Sequence, residues 1–439
     1  MLRSLFVNGI FSWLDLILLG WTLGLVWLGG FTLAHKGNFT DKVRYGLKNE
    51  RFLFGGWAAE ARYTIGGWLF LAAVALLQFD MFFMNSLVRE RGYAWHSFLA
   101  PKLEVIYFVA IVLKLVFFTR YSGWQLGVGW CFFFVSRWVF INDHDFWVIT
   151  GILFALAAKD VPLRRTLKAS LAVSTASVLS TVSIYLLGWI DTVEYTGSAG
   201  RLRNSFGYGW YNLTGAILLG LCVMYLCWRQ VKKLRWFDFT LLVAALVFCD
   251  QGPDSRAATV CIALLLVLTV ILRFFPAMAR PFWVRVLVSA APAVAFAFSL
   301  LGGLFYSADS RLWIRLDGLF TGRLSLANEA LTQAPVAIAG QQLLGEDFLV
   351  DNFYVAQWIY AGPVMSLLLW GAVTLLLWKL MKKGAVTESA CLVVMLAHSF
   401  MEGHFIWPCI NVCLWLLPCA LYLLPQNRTP SFAPEEKQT

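Results

Sequence analysis

The chain reads as an all-α, polytopic integral membrane protein with about 12–13 transmembrane helices, and three observations lead there. Of its 439 residues, 60% are hydrophobic and only 14% are charged, against roughly 45–50% and about 25% in soluble domains. Mean hydropathy is +0.70. The apolar residues gather into runs close to the ~20 residues that a spanning helix needs. These runs lack the two-residue alternation of a membrane-barrel strand, so helices are the expected solution. This composition excludes a soluble enzyme.

Taken in order, candidate spans fall near 8–33, 64–82, 102–119, 122–141, 143–158, 169–190, 212–228, 237–250, 257–273, 286–306, 355–378, 386–404 and 408–425. Residues 1–425 then form a single polytopic membrane domain, and 426–439 form a short polar cytoplasmic tail. No small-residue cleavage site follows the first apolar stretch, so it reads as a retained span and not a removed signal peptide. Loops 228–236, 273–285 and 379–383 carry Arg229, Lys232, Lys233, Arg235, Arg273, Arg280, Arg285, Lys379, Lys382 and Lys383 without an acidic residue, which assigns them to the cytoplasm. Loops 191–211, 250–256 and the large extracytoplasmic loop 307–354 then face outward, with a short turn at Glu402, Gly403 and His404 beside them.

Several features call for no special function. Tryptophans near span ends, such as Trp68, Trp228 and Trp378, fit interfacial anchoring. The net charge of +10 belongs to loops beside anionic headgroups and implies membrane lipid, with no nucleic acid as partner. All nine cysteines lie in or beside apolar runs and read as small core-filling residues. Lys114 and Arg137 sit near enough to span ends to snorkel.

The three larger outward loops contain six basic residues, every one an arginine. Arginine is a permanently charged planar fork that grips phosphate through two parallel hydrogen bonds, whereas lysine is a hydrated point charge. Arg203, Arg256 and Arg323 each stand beside Gly or Ser turn residues at a span boundary, where a lipid-borne headgroup would lie; Arg201 is next to the first. The bland alternative is that these arginines pair with nearby acids such as Asp309 and Asp317.

At this point the chain resembles a known family. Arg203, Ser205-Phe206-Gly207-Tyr208 and Asn212, then Ser255-Arg256, Gly322-Arg323, Gly345, Asp351-Asn352 with Tyr354 and Gly362, then Glu402 and Asn411, are similar in order and spacing to the motifs of bacterial O-antigen, capsular and exopolysaccharide repeat-unit polymerases. The resemblance runs over roughly 160–420, and residues 157–165 resemble the family's cytoplasmic link. The chain departs from the pattern at Trp210-Tyr211, where the family usually carries His-Pro, and this bears on the role of Asn212.

The resemblance implies a metal-independent, cofactor-free glycosyltransferase of the bacterial cytoplasmic membrane. Its substrate would be an undecaprenyl-diphosphate-linked oligosaccharide, joined to a sugar hydroxyl of another lipid-linked repeat at the outer face. A flippase and a chain-length regulator of the same pathway are the implied partners. Arg203, Arg256, Arg323 and Arg201 would bind the diphosphate, and Ser255, Asn352, Tyr354, Asn212 and Asn411 would position substrate. Asp351 and Glu402 are the candidate general bases, with His404 third. Asp351 could equally cap a helix, and Glu402 could equally be a structural partner of His398 or Asn411. Asp143-His144-Asp145 suits a turn better than a metal pair. A ligase that moves glycan to a different acceptor shares these motifs, and a flippase or solute transporter is the competing class.

Overall fold

The computed structural model describes residues 49–52, 59–90, 94–143, 146–192, 194–196, 202–334, 336–341 and 350–417, with single positions at Gly20, Gly24, Asp41, Tyr45 and Leu47. The first expected span apart from Gly20 and Gly24, together with Arg201, His144, Asp145, Gly345, Cys419 and the tail 426–439, lies outside the described residues. The chain is mostly helical. In order come α1 (Ala59–Met84), α2 (Ala94–Phe117), α3 (Gly123–Asp143), α4 (Phe146–Ala157), α5 (Leu163–Leu186), α6 (Tyr211–Arg229), α7 (Trp236–Gln251), α8 (Arg256–Phe274) and α9 (Phe282–Leu304). They are followed by α10 (Arg311–Leu319), α11 (Arg323–Gln333), α12 (Phe353–Tyr360), α13 (Gly362–Lys383) and α14 (Val386–His398). Two short antiparallel ribbons complete the described part, β1 (Arg51–Phe52) with β2 (Arg120–Tyr121) and β3 (Glu194–Thr196) with β4 (Leu202–Asn204).

Among the described residues, seven helices are long and apolar enough to cross a membrane, namely α1 from Thr64, α3, α5, α6, α8, α9 and α13. The chain is therefore a multi-pass membrane protein, with shorter apolar helices at Trp147–Ala157 and Val386–His398. One apolar core runs through the bundle from Phe70 to Leu417. α6 is the most enclosed of the seven, and small residues let its neighbours approach closely. A Cβ on Gly220 would lie 2.7 Å from the Ile410 carbonyl oxygen, and one on Gly215 would lie 2.4 Å from Ser255 Oγ. Gly215 thus seats the start of α8 against α6.

The turns between α6 and α7, α7 and α8, and α8 and α9 are short, so these helices alternate in direction. The start of α6, the end of α7, the start of α8 and the end of α9 share one end of the bundle. At the other end, Asp238 in the first turn of α7 accepts from the Arg235 backbone N–H and from the Arg229 guanidinium at 3.0 Å.

Three sequence expectations change. The run 355–378 is two helices, α12 and α13, broken at Gly362, whose φ of +77° only glycine adopts at no steric cost. Gly340 forces the break: a Cβ there would lie 1.9 Å from the Tyr360 carbonyl oxygen, so the two backbones touch. The described part of the run 408–425 is turn followed by a single 3-10 helix, Val412–Leu416. Its backbone closes three-residue turns, with Ile410 N donating to the Trp407 carbonyl at 3.0 Å and Leu414 N to the Asn411 carbonyl at 3.3 Å, and Asn411 caps the 3-10 helix by accepting from the Cys413 N–H. Lys114 does not snorkel. It is 1% exposed and donates to Thr119 Oγ1 at 3.0 Å and to the Lys159 carbonyl at 2.6 Å. Arg137 is also buried, against the Phe140 ring.

Candidate functional site

The site begins with the seating of α11. Gly302 and Gly303, at the end of α9, leave room for Leu324, Ala327 and Leu331 to cross over them. Asn328 Nδ2 then donates to the Gly303 carbonyl at 2.7 Å, satisfying one of the open carbonyls of the α9 terminus. Asp317 caps the start of α11 from the preceding helix, accepting from Leu324 N at 2.8 Å and Ser325 N at 3.0 Å. Between the two helices, Thr321 (φ +53°) and Gly322 (φ +83°) both take the left-handed conformation. For a β-branched residue such as Thr321 that conformation is costly and persists only where its surroundings enforce it.

This turn delivers Arg323, the first residue of α11. Its Nη1 donates to the Thr321 carbonyl at 3.1 Å and to Thr321 Oγ1 at 2.7 Å. Its Nη2 lies 3.1 Å from Asp351 Oδ2 and 3.8 Å from Glu402 Oε1, and donates to the Met401 carbonyl at 3.4 Å. Three candidates chosen separately in the sequence thus meet from three segments. The helix cap expected of Asp351 is supplied by Asn352, whose Oδ1 accepts from Tyr354 N at 3.0 Å and whose Nδ2 donates to Ser299 Oγ at 3.2 Å. Asp351 is left facing Arg323.

The two carboxyls differ in setting. Glu402 lies in the turn beyond α14, is buried, and its Oε1 lacks a hydrogen bond among the described residues. Burial, reinforced by the charge of Asp351 and opposed by Arg323, pushes Glu402 up to about 8. Asp351, with more than a third of its side chain exposed, is raised by burial and held back by Arg323. Burial thus raises both carboxyls, and Glu402, at about 8, holds its proton at neutral pH. His404 does not join them. It stacks 6.1 Å from His398 and lies edge-on to Trp407 at 4.8 Å, and burial pushes it down to about 4, so it is uncharged at neutral pH.

The second arginine lies on β4. Arg203 Nε donates to Asp254 Oδ2 at 3.1 Å, and its guanidinium lies 4.7 Å above the Tyr211 ring. Tyr211 also stacks with Tyr195 and with Trp210, at 6.0 and 5.4 Å. Tyr211 is therefore the platform under Arg203. Arg256, two residues beyond Asp254, opens α8; it is exposed and has no acidic partner among the described residues. The helix that Arg323 opens crosses the end of α9, and that end lies with the start of α8, so the two arginine clusters share one end of the bundle.

The remaining candidates are placed as follows. Ser255 is fully buried against Gly215. Asn212 is the second residue of α6 and caps nothing. Tyr354 is buried and donates its hydroxyl to the Leu396 carbonyl at 2.9 Å. Asn411 is buried too, donating to the Phe405 carbonyl at 2.9 Å. Asp309 and Asp317 do not pair with the arginines of their loop, Asp317 being the cap of α11. Sequence reasoning did not select Thr321, Tyr211 or Asp254. Tyr211 carried a signal in its departure from the family pattern, and the other two carried none. No protein-family model, no curated protein and no solved structure matches the chain.

Proposed function

We propose that this protein is a membrane glycosyltransferase that joins lipid-linked glycan repeats at the outer face of the bacterial cytoplasmic membrane, with Arg323 at the leaving diphosphate. The observation that carries this reading is the meeting of Arg323, Asp351 and Glu402 at the bundle end that also holds Arg203 and Arg256. In this reading the chain has about 12–13 spans, and 307–354 is its large outward loop.

In the reaction, a sugar hydroxyl oxygen of one repeat bonds to the anomeric carbon of another. The bond from that carbon to the diphosphate oxygen breaks, and its electron pair leaves with undecaprenyl diphosphate. Negative charge grows on the departing phosphate, so arginines already in place stabilise the transition state more than the ground state. Arg256, free of acids among the described residues, meets the diphosphate first. Arg323 cannot hold Asp351 and a phosphate with the same Nη2, so arrival of the diphosphate frees the Asp351 carboxylate to accept the hydroxyl proton. Glu402, kept protonated by burial, avoids placing a second negative charge beside the leaving group.

The test is reconstitution. Purified protein in proteoliposomes supplied with an undecaprenyl-diphosphate-linked repeat should yield a ladder of longer glycans and release undecaprenyl diphosphate. A folded, correctly inserted protein that elongates no lipid-linked repeat would overturn the proposal.

A further inference from the structure

The end of the bundle opposite Arg323 carries a second feature. The end of α1 lies by the Arg203 loop, with Gly209 N donating to the Asn85 carbonyl at 3.1 Å, and the end of α5 lies there too, with Asn204 Nδ2 donating to Tyr185 Oη at 2.8 Å. The starts of α1 and α5 are therefore at the far end, and between them is a cavity of about 250 Å³. Gly67, Trp68 and Leu71 of α1 form one wall, and Asp160, Pro162 and Arg165 form the other. This is smaller than the ~300–1,000 Å³ of sites that enclose a whole drug-sized ligand. A headgroup fits; a complete lipid does not.

Charge and surface select the occupant. Arg165, Arg164 and Lys168 are all exposed on neighbouring turns of α5, and the first turn of that helix has no acid. Cations at a helix N-terminus oppose its dipole, and none of these three has an acidic partner among the described residues. The acid of the cavity wall, Asp160, is already met by Arg120 at 3.5 Å and Lys159 at 3.9 Å. Arg165 is thus the cation of the cavity lining, Leu71 and Val161 are its apolar part, and Arg164 and Lys168 add positive charge on the adjoining surface of α5. Trp68, 67% exposed, stands at its rim as an indole does at a headgroup boundary.

We propose that this cavity binds the phosphodiester headgroup of an anionic phospholipid, with Arg165 on the phosphate, Arg164 and Lys168 adding attraction from the adjoining α5 surface, and Trp68 along the glycerol region. Basic pockets between membrane helices recognise anionic headgroups in this way. The site does not depend on glycosyl transfer.

The test uses the full chain in phosphatidylcholine nanodiscs containing a minor fraction of phosphatidylglycerol, with retained lipid read by native mass spectrometry. The wild type should retain phosphatidylglycerol in preference to phosphatidylcholine. Arg165→Gln should lower that retention several-fold. Gly67→Leu fills the cavity without touching a charge, and a Cβ on Gly67 meets nothing within 4 Å, so this variant should fold and also lose the lipid. Equal retention of the two lipids by the wild type, or unchanged retention in both variants, would overturn the proposal. So would tight binding of inorganic phosphate to detergent-purified protein that phosphatidylglycerol fails to displace.

Discussion

Arg323 Nη2 and Asp351 Oδ2 stand 3.1 Å apart, and the same nitrogen is 3.8 Å from Glu402. One guanidinium therefore faces two acids while its other terminal nitrogen is held by Thr321. The fork shape is essential to this arrangement, because a single ammonium cannot reach both sides. Arg323→Lys keeps the charge and loses the geometry, and should lower the polymerisation rate by about 10²-fold or more with unchanged membrane insertion. Long glycan ladders at wild-type yield from that variant would remove Arg323 from the leaving-group site.

Asp351→Asn keeps the size of the side chain and removes its ability to take a proton. A positioned general base contributes about 10²–10⁴-fold, so kcat should fall on that scale while KM for the lipid-linked donor changes little. A rise in KM at constant kcat would instead assign Asp351 to binding.

Glu402 is pushed up to about 8 from its ordinary 4.5. The folded chain keeps a proton there that the unfolded chain releases, so stability is complete below about 4.5 and is lost as pH rises through about 8. Glu402→Gln cannot ionise. The Tm of the wild type should fall by a few degrees relative to that variant between these limits, and parallel Tm curves would show that the carboxyl is not held protonated.

Tyr211 supports Arg203 through its ring. Tyr211→Leu should therefore weaken donor binding by the ~0.5–2 kcal/mol of a cation–π contact, a several-fold rise in KM, while Tyr211→Phe keeps the ring and should bind donor nearly as the wild type does. Equal effects of the two substitutions would mean that the hydroxyl, and not the ring, matters.

Local signals made much of the architecture legible. Long apolar runs marked the helices, and arginines beside turn glycines marked Arg203 and Arg323. What stayed hidden depends on contacts between distant segments. Ala361-Gly362-Pro363 lies inside an apolar run, and the break there follows from Gly340 packing on Tyr360. Lys114 is buried because the carbonyl of Lys159, in another segment, accepts from it. The segment after Pro408 was apolar enough for a span, but its described part, to Leu417, is turn and 3-10 helix, with Asn411 serving its own backbone. Asp351, Glu402 and Arg323 could each be chosen, but their meeting could not be read, since α11 reaches the two acids only after crossing the end of α9.

The left-handed turn at Thr321 also sets which sequences the site can tolerate. If every amino acid were offered at 321 under selection for an intact Arg323, Asn and Asp would be favoured, since both accept positive φ more readily than threonine and keep a side-chain oxygen for the guanidinium. Thr321→Asn should thus raise Tm at unchanged activity, and Thr321→Val, nearly the same shape without the oxygen, should lower both. Position 321 would be a narrow passage for the evolution of this chain, although its residue touches no substrate.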